Sequence, residues 1–172
     1  MKKHNGMRPQ DIVILLKIIA IKNDDWRNAD LAQSLQISPS EISEALNRCK
    51  IGGLMDSKKR KIHLNSFREF LVYGLKYVFP VIPGPLVRGI PTAHSAPPLN
   101  IHIASDEYYV WPFALGHFRG QSIEPLYITV PAVVNDDPQF YELIALVDAI
   151  RVGRAREYKI AVEELQKRLT YA

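Results

Sequence analysis

A single cysteine, Cys49, is all that 172 residues supply, so no disulfide framework and no cysteine-based zinc site can be written for this chain. Long apolar runs are missing as well. The stretch from Ile12 to Ile21 follows Lys2, Lys3 and Arg8 in the manner of a secretory signal, but Asp11 and Lys17 interrupt it and no small-residue cleavage site follows. It is also too short to cross a bilayer. The expectation is a cytoplasmic protein that makes no membrane contact. Catalytic spacings are equally scarce: there is no HExxH, no GxSxG and no histidine pair at helical spacing. His94, His102 and His117, with Ser95 and Asp106 nearby, therefore read as structural or solvated groups. No catalytic residue, metal ligand or cofactor is expected, and the chain does not read as an enzyme. The glycine-bearing pieces PGPLVRG and GHFRGQ match no phosphate-cradling loop. No internal repeat or low-complexity tract is present.

Charge of one sign is not in large excess. With 47% hydrophobic and 23% charged residues, the composition is that of a folded globular protein rather than a disordered tail. The formal net charge is +4, and its distribution decides more than its size. Residues 1–64 hold 12 Lys and Arg against 7 Asp and Glu, whereas residues 79–138 hold 2 against 5. The positive field belongs to the amino-terminal third, where a surface facing phosphate would need it.

That third contains the most organised stretch of the chain, residues 28–54. Ala29, Leu31, Ala32 and Leu35 give one inner helical face, and Ile42, Ala45, Leu46 and Cys49 give a second. Between them Ser38, Pro39 and Glu41 predict a capped helix start. The hydroxyl sits at N-cap, proline at the first helical position, and a carboxylate three residues on reaches back. Gly52 and Gly53 end that helix. Its outward face carries Ser40, Ser43, Glu44, Asn47, Arg48 and Lys50, side chains of the kind that meet base edges and phosphates in a major groove. Two strand-like pieces follow, Leu54 to Asp56 and Lys61 to Leu64, joined by the tip Ser57-Lys58-Lys59-Arg60. A basic hairpin beside a recognition helix would set Lys58, Lys59, Arg60 and Lys61 against the phosphate backbone.

With Leu31-Ala32, Leu35, Ile37-Ser38, Ser40, Ser43, Leu46 and Gly53-Leu54 at the pattern positions, residues 9–78 resemble the winged helix-turn-helix transcriptional regulators of prokaryotes in the MarR-like group. The resemblance implies a winged-helix head that binds double-stranded DNA. It implies a dimer reading an inverted repeat, and DNA contacts from Ser38, Ser40, Ser43, Glu44, Asn47, Arg48, Lys50 and Lys58 to Lys61. Glu41 and Glu44 depart from what a phosphate-facing helix wants. Capping accounts for Glu41, and Glu44 could accept from a cytosine amino group.

Around this head the chain reads as α+β and mainly α, in three parts: a winged helix-turn-helix domain at 1–78, a Pro- and aromatic-rich wrapping segment at 79–138, and a helical dimerisation or docking segment at 139–172. Residues 1–7 are a polar start. A first helix from Pro9 to Lys22 is apolar on almost every side, which requires cover from the carboxy-terminal half or a second subunit. Asp24-Asp25-Trp26 could add a strand to the wing or form a turn. A fourth helix runs from Phe67 to Val78. Ten of the twelve prolines fall between Pro80 and Pro138 and exclude continuous helix there. Short extended pieces are predicted at Asn100 to Ala104, Tyr108 to Trp111 and Leu126 to Val130, laid over the first and fourth helices. Asp137-Pro138 starts a helix with one apolar face, and Gly153 either breaks it or lies within one long helix. Arg151, Arg154 and Arg156 could clamp an anion or a partner's acidic loop, although internal pairing is the default. Three functions are weighed at this point: the DNA-binding regulator; a winged-helix protein-interaction module, as in an antitoxin or defence-system accessory factor, docking a partner through its aromatic Pro-rich half; and, against the reading of the histidines above, an enzyme acting through the His94 to His117 segment.

Overall fold

The computed structural model describes residues 5–170; Lys2, Lys3 and most of the polar start lie outside the described residues. The chain is α+β and mainly α. Helix α1, Pro9–Ile21, starts where the Asp11 carboxylate accepts from the Arg8 amide at 2.9 Å and stops at Lys22, whose φ of 57° is left-handed. Ile12 through Leu16 are fully buried. Helices α2, Asn28–Leu35, and α3, Pro39–Ile51, cover one side of α1. The Ser38 hydroxyl caps α3 by accepting from the Glu41 amide at 3.2 Å, and Gly53, at φ 77°, turns the chain away from it. The hairpin that follows closes through one bridge, Met55 to Ile62. Asp24 to Trp26 form a bend with Trp26 buried, so they add no strand to it.

The fourth helical stretch starts three residues earlier than the sequence suggested. It comprises α4, Leu64–Glu69, a π-helical turn, Phe70–Gly74, and α5, Leu75–Val78. Tyr158 donates its hydroxyl to the Val72 carbonyl inside the π turn at 2.8 Å.

The proline-rich segment holds three short strands, β1 at Leu86–Pro91, β2 at Tyr109–Pro112 and β3 at Phe118–Ser122. Each pairs with the other two. β1 is antiparallel to both, with Ile90 opposite Trp111 and Arg88 opposite Arg119, and β2 runs parallel to β3 with Tyr109 opposite Gln121. Closing three strands on themselves leaves no room for a Cβ where backbones meet. One built at Gly89 would strike the Trp111 carbonyl, and one at Gly120 the Tyr108 carbonyl. Of the predicted extended pieces only Tyr108 to Trp111 is a strand. Leu99–Ile101 is a 3-10 turn, and Leu126 to Val130 is a turn leading into α6, Val130–Val133.

Helix α7, Pro138–Val152, is capped by the Asp137 carboxylate, which accepts from the Phe140 amide at 3.0 Å. Gly153 does break the pattern, and α8 runs over Ala155–Thr170. Every residue from Leu143 to Ile150 is buried, so α7 has apolar cover on all sides rather than on one face. It lies between α1, α5 with its π turn, α8 and the turn at Ala93–Ser95. The middle segment therefore wraps α7 more than α1 and the fourth helix. Asp148, a carboxylate inside this helix, accepts from Thr92 Oγ1 at 2.8 Å, Trp111 Nε1 at 2.6 Å and Arg151 Nη1 at 2.8 Å. One hydrophobic core draws on all three stretches of the chain, 1–78, 79–138 and 139–172. The second face of α1, which the sequence left for a docked half or a second subunit, is covered by α7. No helix among the described residues is long and apolar enough to cross a membrane.

Candidate nucleic-acid interface

Helix α3 packs its apolar side on α1 and α2 and leaves Ser40, Ser43, Glu44 and Lys50 exposed, with Asn47 half-buried beside them. These residues fall on one side because Ile42, Ala45, Leu46 and Cys49 take the other. The Ser38 hydroxyl keeps a proton to donate, since the cap uses it only as an acceptor.

Arg48 does not belong to this outward face. It is 6% exposed, and its Nε and Nη2 hold the two oxygens of Asp11 at 2.9 and 2.8 Å while Nη2 also reaches Glu41 at 2.6 Å. Asp11 is wholly buried in α1, so a guanidinium fork from α3 is what makes its charge tolerable there. The paired carboxylates hold Arg48 firmly protonated, raising it above the ordinary arginine value. Glu41 is drawn into the same cluster. Burial works against its charge most strongly, but hydrogen bonds from Arg48 and Gln10 outweigh it and hold the carboxyl below its ordinary value. Its carboxylate thus faces α1 instead of reaching back to the Ser38 amide. Glu44, half-exposed, stands 3.8 Å from Arg48, which leaves it only partly available to a base.

The hairpin is built on Asp56. One oxygen accepts from the amides of Arg60 and Lys61 at 2.7 and 3.0 Å, and these backbone bonds hold the carboxyl below its ordinary value. At the base His63 donates Nδ1–H to the Gly53 carbonyl at 2.9 Å. Lys58, Lys59 and Lys61 have no ion-pair partner among the described residues. Arg60 differs from them. Its guanidinium lies 4.1 Å from the centre of the Trp26 ring and donates to the carbonyls of Trp26 and Asp24, so it ties the 22–27 bend to the hairpin while the residue stays exposed to solvent.

A residue that sequence reasoning passed over completes the face. Arg8, half-exposed and 3.7 Å from Glu41, lines a polar cleft of about 240 Å³ with Ser43, Asn47 and Lys59. The only sequence signal was a cation directly before Pro9. No family model, curated protein or solved structure matches the chain.

Cys49 is buried. Burial above all, with the Asp11 carboxylate adding to it, pushes its thiol up to about 12, which leaves very little thiolate for redox chemistry near neutral pH.

The arginines near the end of α7 do not form a clamp. Arg151 turns inward onto Asp148 and the Phe79 carbonyl at 2.8 and 3.0 Å, whereas Arg154 is exposed and 3.5 Å from Glu107, and Arg156 is exposed. The histidines stay apart from one another chemically. His94 is buried with Nε2 donating to the Glu107 carbonyl at 2.7 Å, Ser95 Oγ accepts from the Tyr109 amide at 2.9 Å, and His102 and His117 are exposed. No nucleophile-base pair results, and no metal-holding group of three such residues occurs among the described residues.

Proposed function

We propose that this chain is a sequence-specific, double-stranded DNA-binding transcriptional regulator of the winged helix-turn-helix type, acting in the cytoplasm. The observation that carries it is the exposed polar side of α3, with Ser40, Ser43 and Lys50 uncovered, beside a hairpin whose three lysines have no internal ion-pair partner among the described residues. The first turns of α3 would enter the major groove, Ser43 and Asn47 meeting base edges. Lys58, Lys59 and Lys61 would lie against phosphates, with Arg8 at the groove's edge. As a homodimer it would read an inverted repeat with half-sites about one helical turn apart.

Gel shifts with the protein's own upstream DNA at two salt concentrations test this. Changing the three hairpin lysines to Ala should weaken binding to every sequence and flatten the salt dependence, by roughly 0.9 in log–log slope for each phosphate no longer neutralised. Asn47→Ala should instead relax base preference. Unchanged binding in both variants would refute the reading. A second reading, docking of a protein partner by the aromatic Pro-rich half, is favoured by the exposed Tyr108, Leu115 and Phe118. A pull-down that survives loss of the hairpin lysines but not Phe118→Ala would select it.

A further inference from the structure

A cleft of about 690 Å³ is lined entirely by residues between 89 and 141, none from the amino-terminal head. That volume suits a small organic molecule. Tyr108, Phe113, Phe118 and Tyr141 supply aromatic wall. At its mouth Tyr108, Leu115 and Phe118 are 45, 77 and 49% exposed, an unusual grouping of large apolar side chains. Tyr108 and Phe118 stand with ring centres 6.4 Å apart and planes tilted by 37°.

The polar groups select the charge of a ligand. No Lys or Arg lines the cleft, and Asp106 is its one carboxylate. Two donors of the wall are already engaged: His94 gives Nε2–H to the Glu107 carbonyl, and Tyr141 gives its hydroxyl to the Pro91 carbonyl at 2.6 Å. An anion would find no lysine or arginine there, only the exposed His117 imidazole and the Asn100 and Asn135 amides. A cation would find ring faces, whose negative quadrupoles attract it, and one carboxylate. We propose that this cleft binds a small organic cation of the alkylated-ammonium class, resting against the Tyr108 and Phe118 rings with Asp106 as its countercharge.

Calorimetric titration of the full chain tests it with three probes of one shape: choline, its uncharged isostere dimethylbutanol, and the anion dimethylbutyrate. Choline should bind saturably, the neutral isostere about tenfold more weakly, and the anion not at all. Asp106→Asn and Tyr108→Leu, the second keeping apolar bulk without a ring face, should each weaken choline by about three- to tenfold. Both positions are exposed, so the melting temperature should not move and the loss is not one of folding. Absence of saturable heat up to about 10 mM choline, a concentration weaker than any useful site, would overturn the proposal. So would equal affinity for the neutral isostere, or unchanged choline binding in either variant.

Discussion

Replacing Arg48 with Ala should destabilise the protein far more than the loss of a surface charge would. Asp11 is fully buried and receives two hydrogen bonds from this one guanidinium, at 2.9 and 2.8 Å. Truncation leaves its carboxylate inside α1 with the Arg8 amide as its remaining hydrogen-bond donor, and breaking a buried pair from one side costs about 3–5 kcal/mol. For a chain of this size each kcal/mol moves the melting temperature by about 2–4 °C, so the expected drop is about 6–20 °C. Replacing both partners together, Asp11→Leu with Arg48→Met, removes the stranded charge and should recover most of the loss. Urea unfolding of the parent, the single variant and the double variant measures all three. A single-variant loss under about 1 kcal/mol, the range of exposed ion pairs, would refute the assignment of Arg48 as a buried tie.

Glu41 adds a pH signature. Its carboxyl is held below its ordinary value of 4.5 by Arg48 and Gln10 against the effect of burial. A carboxylate lowered on folding contributes stability that is complete above the unfolded value and is lost as pH falls through the folded one. The Glu41 share of the difference between parent and Arg48→Ala should therefore be present at neutral pH and shrink as the solution is taken below about pH 4.5.

Two further perturbations probe the interior. Cys49 should resist a thiol reagent at pH 8 in the folded protein, because a thiol at about 12 leaves roughly one molecule in ten thousand as thiolate; one full equivalent should react in denaturant, and stoichiometric labelling of the folded chain would contradict its burial. Gly89→Ala places a methyl against the Trp111 carbonyl, so it should cost about 1–3 kcal/mol by overpacking and disturb the near-ultraviolet signal of Trp111; an unchanged signal and melting curve would mean the three strands do not close as described.

Periodicity made the helices readable where one face is apolar and a cap marks the start, as at Ser38 and Asp137. It failed where the partner is distant. Nothing within α3 shows that Arg48 turns inward, because its position on the flank of the Ala45 and Cys49 face is compatible with either direction. The clue was in α1, where Asp11 stands in the first turn of a helix that is apolar but for Gln10 and Lys17 and, as a buried charge, demanded a cation from elsewhere. The strands β1 and β3 escaped for another reason. Leu86–Pro91 and Phe118–Ser122 alternate poorly, contain Gly89, Pro91 and Gly120, and owe their pairing to close backbone approach that only the closed sheet reveals. The full burial of α7, by contrast, is visible from Leu143 to Ile150, where Asp148 is the sole polar residue, although the spacing of Phe140, Leu143, Ile144, Val147 and Ile150 also suits a single apolar face.

The cations around α3 differ in how far the chain itself engages them, and this bears on what a nucleic acid would find there. Arg48 and Arg60 each satisfy several acceptors of the chain itself, a carboxylate pair in one case and two carbonyls with an indole face in the other. A planar guanidinium with five donors suits such multiple attachment, whereas an ammonium on a flexible stem does not. The lysines around α3, the exposed Lys50, Lys58 and Lys61 and the half-buried Lys59, have no ion-pair partner among the described residues; Arg60 is exposed but engaged by Trp26 and Asp24, and Arg8 lies with Lys59 at the rim of the Ser43 and Asn47 cleft. Lysines serve phosphate as point charges and carry little sequence information, while the bidentate guanine contact favours arginine. In the proposed regulator, affinity and salt dependence should therefore follow the lysines. Base preference should fall to Ser43, Asn47 and Arg8, and Arg8→Lys should weaken discrimination between sites while leaving nonspecific binding nearly intact.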